Sequence, residues 1–297
     1  PDKDPRKLGA YISWVAIATT CITSSMFLTA LAPNLLAVDL IAKTSGHVIT
    51  WGEWAGVMLP LMVPLFLLTP WLAYVIYPPT QKNSPEAPAW AAEELKTLGA
   101  ITFKEYLMAG LATVALFLWI FNKEFGVDST TVAIAIVSVM VLTNVITWDD
   151  LISNKAAFNV LIWFASLVAM ASGLQKVGVL AWIGANTQEL LSGMSPTTLM
   201  LSLLILFFLL HYFFASVTAH VTALIPIFMA IAVNLLTPEQ IVPFTIILAG
   251  SLGVMGIITP YATGPSPIWY GAGYISQGRW WALGAIFGVL YLGVIIL

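Results

Sequence analysis

Charge is the scarcest property of this sequence. Only 8% of its 297 residues are Asp, Glu, Lys or Arg, whereas a soluble domain carries about 25%. A water-facing fold of this length has more surface than so few polar side chains can cover. With 60% hydrophobic residues and a mean hydropathy of +0.94, the expected class is an all-α polytopic membrane protein in a lipid bilayer. A net charge of −3 supplies no basic patch for nucleic acid. Cysteine is nearly absent. Cys21 alone excludes a disulfide framework or a thiolate metal site, and in an apolar run it reads as a packing residue. Catalytic motifs are missing too. There is no HExxH, GxSxG or P-loop. Asp149 and Asp150 are adjacent and interfacial, which is the wrong geometry for an intramembrane aspartyl pair. The three dispersed histidines do not make a metal site. No enzyme is expected.

What is present is long apolar runs, several about as long as a hydrocarbon core requires. They cover Tyr11–Leu28, Trp51–Tyr77, Glu105–Phe121, Thr130–Thr147, Phe158–Leu174, Gln240–Ile258 and Trp280–Leu297. Pro60, Pro64 and Pro70 predict a kinked third helix. Pro78–Lys104 is a polar linker whose Ala89–Leu98 portion reads as an interfacial helix. Residues 1–7 form a charged approach, and Gln175–Pro196 an amphipathic connector.

One stretch departs from this scheme. Phe213–Pro226 places Ser216, Thr218, His220 and Thr222 between two apolar runs, without charge and without a glycine turn. It reads as the tip of a re-entrant helical hairpin over residues 197–236. A topology in which that pair enters and returns on one side puts eight Lys and Arg in the cytoplasm and three outside, in line with the positive-inside rule. Two other runs are broken by proline and small residues. Thr29–Leu35 aligns with Tyr261–Pro267: Ala30 on Ala262, Ala32 on Gly264, Pro33 on Pro265, and Asn34 on Ser266. Backbone breaks are tolerated at membrane depth only where protein or a watery cavity satisfies the freed groups. Two such breaks of opposite orientation are what inverted-repeat carriers use to build a midplane site.

The repeat predicts a second hairpin ahead of the first broken helix, and residues 1–28 contain none. A partial chain is therefore expected, with the missing hairpin before Pro1. The segments are then 1–42, the first broken helix of a transport domain; 43–157, scaffold helices and linkers; and 158–196, a span and connector. The hairpin follows at 197–236, the second broken helix at 237–278, and the last span at 279–297. The groups expected to face a ligand are Ser216, Thr218, Thr263, Ser266, Thr29 and Asn34. Hydroxyls, amides and helix N-termini bind anions without buried ammonium or guanidinium groups, so a carboxylate fits. His220 sits where it could contact substrate or respond to pH.

Three stretches resemble the divalent anion/sodium symporter family: Ser216–Pro226, Tyr261–Gly271 and Phe27–Asn34. The nearest branch is similar to the bacterial citrate/succinate antiporters and the plastid 2-oxoglutarate/malate translocators. The resemblance implies an inverted-repeat, elevator-type carrier with re-entrant hairpins, working as a homodimer in the inner membrane. Each hairpin tip of that family carries Ser-Asn-Thr. Ser216-Val217-Thr218 matches the second tip, with Val217 in place of Asn. The match assigns Ser216, Thr218, Thr263 and Gly264 to substrate, and places any sodium near Ala30 and Ala262. Loss of the amide at Val217 favours exchange of di- and tricarboxylates. Sodium-coupled symport is the alternative. A passive anion channel would need a continuous polar stripe through several spans, which the sequence lacks.

Overall fold

In lipid every backbone polar group needs an internal partner, so chain that spans a membrane does so as helix or closed barrel. A computed structural model shows how this sequence meets that demand. It describes residues 8–155 and 193–297, together with residues 157, 158, 169, 170, 173, 176–179, 182, 185, 186 and 191. The helices in chain order are α1 (Gly9–Met26), α2 (Ala32–Ser45), α3 (Trp51–Ile76), α4 (Ala87–Leu98), α5 (Phe103–Ile120), α6 (Asn122–Phe125), α7 (Ser129–Leu142) and α8 (Trp148–Ile152). After the partly described stretch come α9 (Pro196–Leu210), α10 (Val217–Leu235), α11 (Pro238–Val254), α12 (Pro265–Gly271) and α13 (Gln277–Ile296). Short 3-10 turns at Leu28–Ala30, His211–Phe213 and Met255–Ile257 follow α1, α9 and α11. The expected 158–196 segment and the approach over residues 1–7 lie largely outside the described residues.

The helix starts are written locally. Thr50, Thr102 and Thr147 each cap a helix and receive a carboxylate from three residues on, so two otherwise orphan N–H groups are satisfied reciprocally. In α3, for example, the Thr50 N–H donates to Glu53 Oε2 at 2.8 Å and the Glu53 N–H to Thr50 Oγ1 at 3.3 Å. Asp128 and Ser195 cap α7 and α9. Among the described residues six stretches are apolar and long enough to cross a membrane: α3, α5, residues 196–213, α10, residues 238–257, and α13.

Four boundaries differ from expectation. A span was expected over Thr130–Thr147, but α7 stops at Leu142, because Asn144 takes a left-handed φ of 54°. Its 14 residues extend only about 21 Å. The first break lies at Phe27–Leu31, and Pro33 and Asn34 sit inside the first turn of α2. The second opens earlier than residue 259, with the 3-10 turn at Met255–Ile257, and closes at Pro265, since proline's fixed φ suits a first helical position. The stretch Phe213–Pro226, expected as a hairpin tip, is mostly helix. Only Phe214–Ser216 separate the 3-10 turn from α10, so Thr218, His220 and Thr222 are helical. α3 runs as one helix through its three prolines.

The described residues fall into two compact units, one within residues 1–82 and 163–297, the other within 83–162. In the first, α1 packs between α3 and α11, and α10 lies along α2. Aromatic side chains tie part of the mostly aliphatic core together. The buried Trp14 meets Trp280 and Phe287 edge-on, each at 5.4 Å between ring centroids. The Tyr291 hydroxyl sits 3.2 Å from Thr69 Oγ1 and donates to the Ala18 carbonyl at 3.3 Å. Small residues bring backbones together, as in other membrane bundles. A Cβ on Gly284 would lie 2.8 Å from the Ile258 carbonyl oxygen, and one on Gly253 would collide with the backbone of Ser25. In the second unit α5 packs on α7. Trp119 Nε1 donates to the Ser129 carbonyl at 3.1 Å and fixes that corner.

Candidate functional site

Both helix breaks, and the tip beside one of them, belong to the first unit. At the first break α1 ends with carbonyls that have no helical partner. Asn34, fully buried, turns its Nδ2 back onto them and donates to Ser24 O at 2.8 Å and Phe27 O at 3.3 Å. Trp54 Nε1, from α3, takes the Ser25 carbonyl at 3.0 Å. At the second break the aligned residue does the same. Ser266 Oγ donates to the Gly256 carbonyl at 3.4 Å and lies 2.9 Å from Thr263 Oγ1. Asn34 and Ser266 each reach back ten residues, to Ser24 and to Gly256. A short letter alignment thus acquires an equivalent bond in space. The two broken helices also meet directly: the Val254 N–H donates to Ser25 Oγ at 2.9 Å.

The tip is a helix N-terminus. Ser216 is the N-cap of α10 and accepts from the Ala219 N–H at 3.4 Å, while the His220 N–H goes to the Ser216 carbonyl at 3.1 Å. Among the described residues nothing accepts from the N–H groups of Val217 and Thr218. Two backbone donors and the hydroxyls of Ser216 and Thr218 therefore share one half-exposed turn. Such a set can hold a carboxylate without a cationic side chain. Thr222 is not part of it, because its hydroxyl donates to the Thr218 carbonyl at 2.8 Å.

The remaining expected residues divide. Thr263 is half-buried and bonded to Ser266, and Gly264 and Thr29 are exposed. Asn34 spends its amide on its own chain, and its Oδ1 has no partner. His220 is fully buried, with no hydrogen bond at either ring nitrogen, and is packed edge-on by Phe207 at 4.3 Å, His211 at 4.9 Å and Phe214 at 5.0 Å. Ala30 is exposed. The Ala262 carbonyl lies 3.1 Å from His211 Nε2. No hydrogen bond joins Ser216 or Thr218 to Thr263, Thr29 or Asn34 among the described residues. The tip and the second break are joined one step back, through His211 and Tyr261. Sequence reasoning gives His211 only a structural place in the arm, and gives Tyr261, Ser25 and Trp54 no role of their own. Ser25 and Tyr261 lie at or beside a break, but His211 and Trp54 are distant from both breaks in sequence, and no local signal marks them.

Comparison with known proteins gives the family of the chain. The family profile described as the sodium:sulfate symporter transmembrane region matches residues 1–297. The L-tartrate/succinate antiporter of Escherichia coli (strain K12) is 46% identical over 297 residues, covering 100% of this chain and 60% of the relative. The same figures hold for the L-tartrate/succinate antiporters of Shigella boydii serotype 4 (strain Sb227) and Shigella flexneri. The chain thus spans 60% of the length of these curated relatives. With six apolar helices of membrane length among its described residues, it is a multi-pass inner-membrane protein, and it belongs to the sodium:sulfate symporter transmembrane family.

Proposed function

We propose that this chain is the larger part of a secondary transporter that exchanges di- and tricarboxylates across the inner membrane by alternating access. The observation that carries the reading is the N-terminus of α10. Two unpartnered backbone N–H groups and the hydroxyls of Ser216 and Thr218 converge on one turn, beside a helix break that carries Thr263 and Gly264. The turn can bind one carboxylate through hydrogen bonds alone, weakly enough to release it. The relatives' description as L-tartrate/succinate antiporters supports a C4 dicarboxylate. Citrate, malate and 2-oxoglutarate belong to the same chemical class.

In this reading residues 197–236 form a re-entrant hairpin that moves with both broken helices in an elevator-type transport domain, and the carrier works as a homodimer. Thr29 stands at the first break, and Asn34 holds that break in shape. His220 supports the tip from behind, through packing. Sodium-coupled symport is the second reading, favoured by the family description itself. Against it stand Val217 at the tip and the Ala262 carbonyl, which is already bonded to His211.

Counterflow in proteoliposomes of the full-length protein decides between them. Exchange requires a dicarboxylate on the trans side and proceeds without sodium, whereas symport stops when sodium is replaced by choline. Ser216→Ala and Thr218→Ala are each expected to raise the KM for succinate more than about tenfold, the equilibrium equivalent of one hydrogen bond to a charged group. An unchanged KM in both variants would remove the site assignment.

A further inference from the structure

The arm leading into the tip and the second break are tied by two hydrogen bonds running in opposite senses. His211 Nε2 lies 3.1 Å from the Ala262 carbonyl oxygen. A carbonyl only accepts, so Nε2 carries the proton and donates. One residue along on each side, the Tyr261 hydroxyl donates to the Tyr212 carbonyl at 3.1 Å. The Tyr212 carbonyl lies in the 3-10 turn His211–Phe213 and the Ala262 carbonyl in the irregular stretch before α12, and no backbone N–H takes either of them among the described residues. The bonds therefore satisfy two orphan acceptors and set the distance between two segments at once.

The donors are held rigidly. The His211 ring is fully buried and meets His220 edge-on. On the other side Trp281 of α13 stacks on Tyr212 at 6.0 Å and meets Tyr261 at 6.1 Å. Clamp and proposed ligands are close in sequence: His211 precedes Ser216 by five residues, and Tyr261 precedes Thr263 by two.

Resting on the reading of the Ser216 tip as a substrate site, we propose that His211 and Tyr261 are positioning residues forming a reciprocal clamp, which presets the span between the tip and the Thr263–Ser266 turn and so selects dicarboxylates by length. Neither residue touches substrate. A dicarboxylate presents two charged ends at a separation set by its carbon chain, and a site whose two halves are already spaced for it loses less freedom on binding. A loosened clamp weakens binding of the preferred length most and penalises other lengths less.

The test uses the full-length protein in proteoliposomes, with malonate, succinate and glutarate competing for succinate exchange. Tyr261→Phe keeps the ring and deletes one bond. It is expected to raise the succinate KM about fivefold, the equivalent of one net hydrogen bond, to leave Vmax per folded transporter near the parent value, and to narrow the preference among the three lengths. His211→Leu behaves in the same way. His211→Gln, which offers an N–H at similar reach, restores the parent KM. The double variant Tyr261→Phe/His211→Leu raises KM by less than the product of the single effects. A parental KM and length preference in Tyr261→Phe, or a loss of folded yield with KM unmoved, overturns the clamp and leaves a packing role. Ser216→Ala in the same assay separates the two ideas. A normal KM there removes the site reading and the clamp with it. A raised KM there beside normal clamp variants removes the clamp alone.

Discussion

The two helix breaks solve one problem in two ways. Each leaves backbone carbonyls without helical partners inside a bundle surrounded by apolar side chains. At the first break the solution is nearly self-contained: Asn34 folds back on Ser24 and Phe27, and Trp54 from the neighbouring α3 takes Ser25. At the second, Ser266 makes the equivalent backward bond at a longer 3.4 Å. There the remaining work is done by His211 and Tyr261, which bind the break to the arm of the tip. The lesson is that similar breaks need not share consequences. Damage at the first is expected to read as lost stability. Damage at the second is expected to read as changed substrate recognition in a protein that still folds.

The largest expected effect attacks what the two breaks share, their crossing. A Cβ at Gly253 would collide with the Ser25 backbone, which has no freedom to rotate away. Gly253→Ala should destabilise the first unit by about 3 kcal/mol, the upper range for overpacking, and deplete folded full-length protein in detergent gel filtration. Gly264→Ala meets nothing within 4 Å and should leave that elution profile unchanged. Equal losses in both variants would erase the distinction between crossing and turn.

A middle-sized effect compares the aligned polar residues. Asn34→Leu removes two hydrogen bonds from a fully buried amide, leaving the Phe27 carbonyl only its Ala30 N–H donor, and should cost about 2 kcal/mol. Ser266→Ala loses the long bond to Gly256 and the 2.9 Å bond to Thr263, whose half-buried hydroxyl can turn to another partner, and should cost about 1 kcal/mol. Thermal unfolding of the two variants should rank them in that order. The reverse order would show that the second break, not the first, is the more dependent on its own residues.

The smallest effect lies in the second unit and serves as a contrast. Asp150, exposed at the start of α8, is held below the usual carboxylate range by hydrogen bonds from the Thr147 hydroxyl and N–H. A depressed folded pKa means the box contributes above the ordinary carboxylate pKa and is lost as pH falls through the depressed value. Acidification through that range should lower the protection against hydrogen exchange at the start of α8, measured relative to the intrinsic chemical rate, and Asp150→Asn should remove that pH dependence of protection. Residues 27–34 hold no titratable side chain, so exchange at the first break should change only by the intrinsic chemical rate. A parallel change there would couple the two regions.

Much of this was legible in the letters. The scarcity of charge required a membrane; the Thr-x-x-Glu and Thr-x-x-Asp pairs that start three helices also stand in the letters, though no helix start was read from them. Pro33 and Pro265 located the breaks to within a few residues, because proline's missing N–H and fixed φ act on its own neighbourhood. Ser216 was visible as a polar residue in an apolar stretch, though the tip proved shorter than its polar letters implied. Thr218, His220 and Thr222 are helical because one N-cap suffices to start α10 at Val217. His211, Tyr261 and Trp54 gave no comparable signal. In a chain with 12 tryptophans and 9 tyrosines, an aromatic that donates one decisive bond looks like any that fills space.

The sequence by itself determined the membrane class, the helix starts, the breaks and their pairing, since each follows from hydropathy, capping chemistry or proline, all of which act over a few residues. Only the tertiary structure decided which side chain satisfies which orphaned carbonyl. Those partners stand 29, 49 and 51 positions apart along the chain. They meet because small residues such as Gly253 and Gly284 let helices pack closely enough to choose them, and no local pattern encodes that choice.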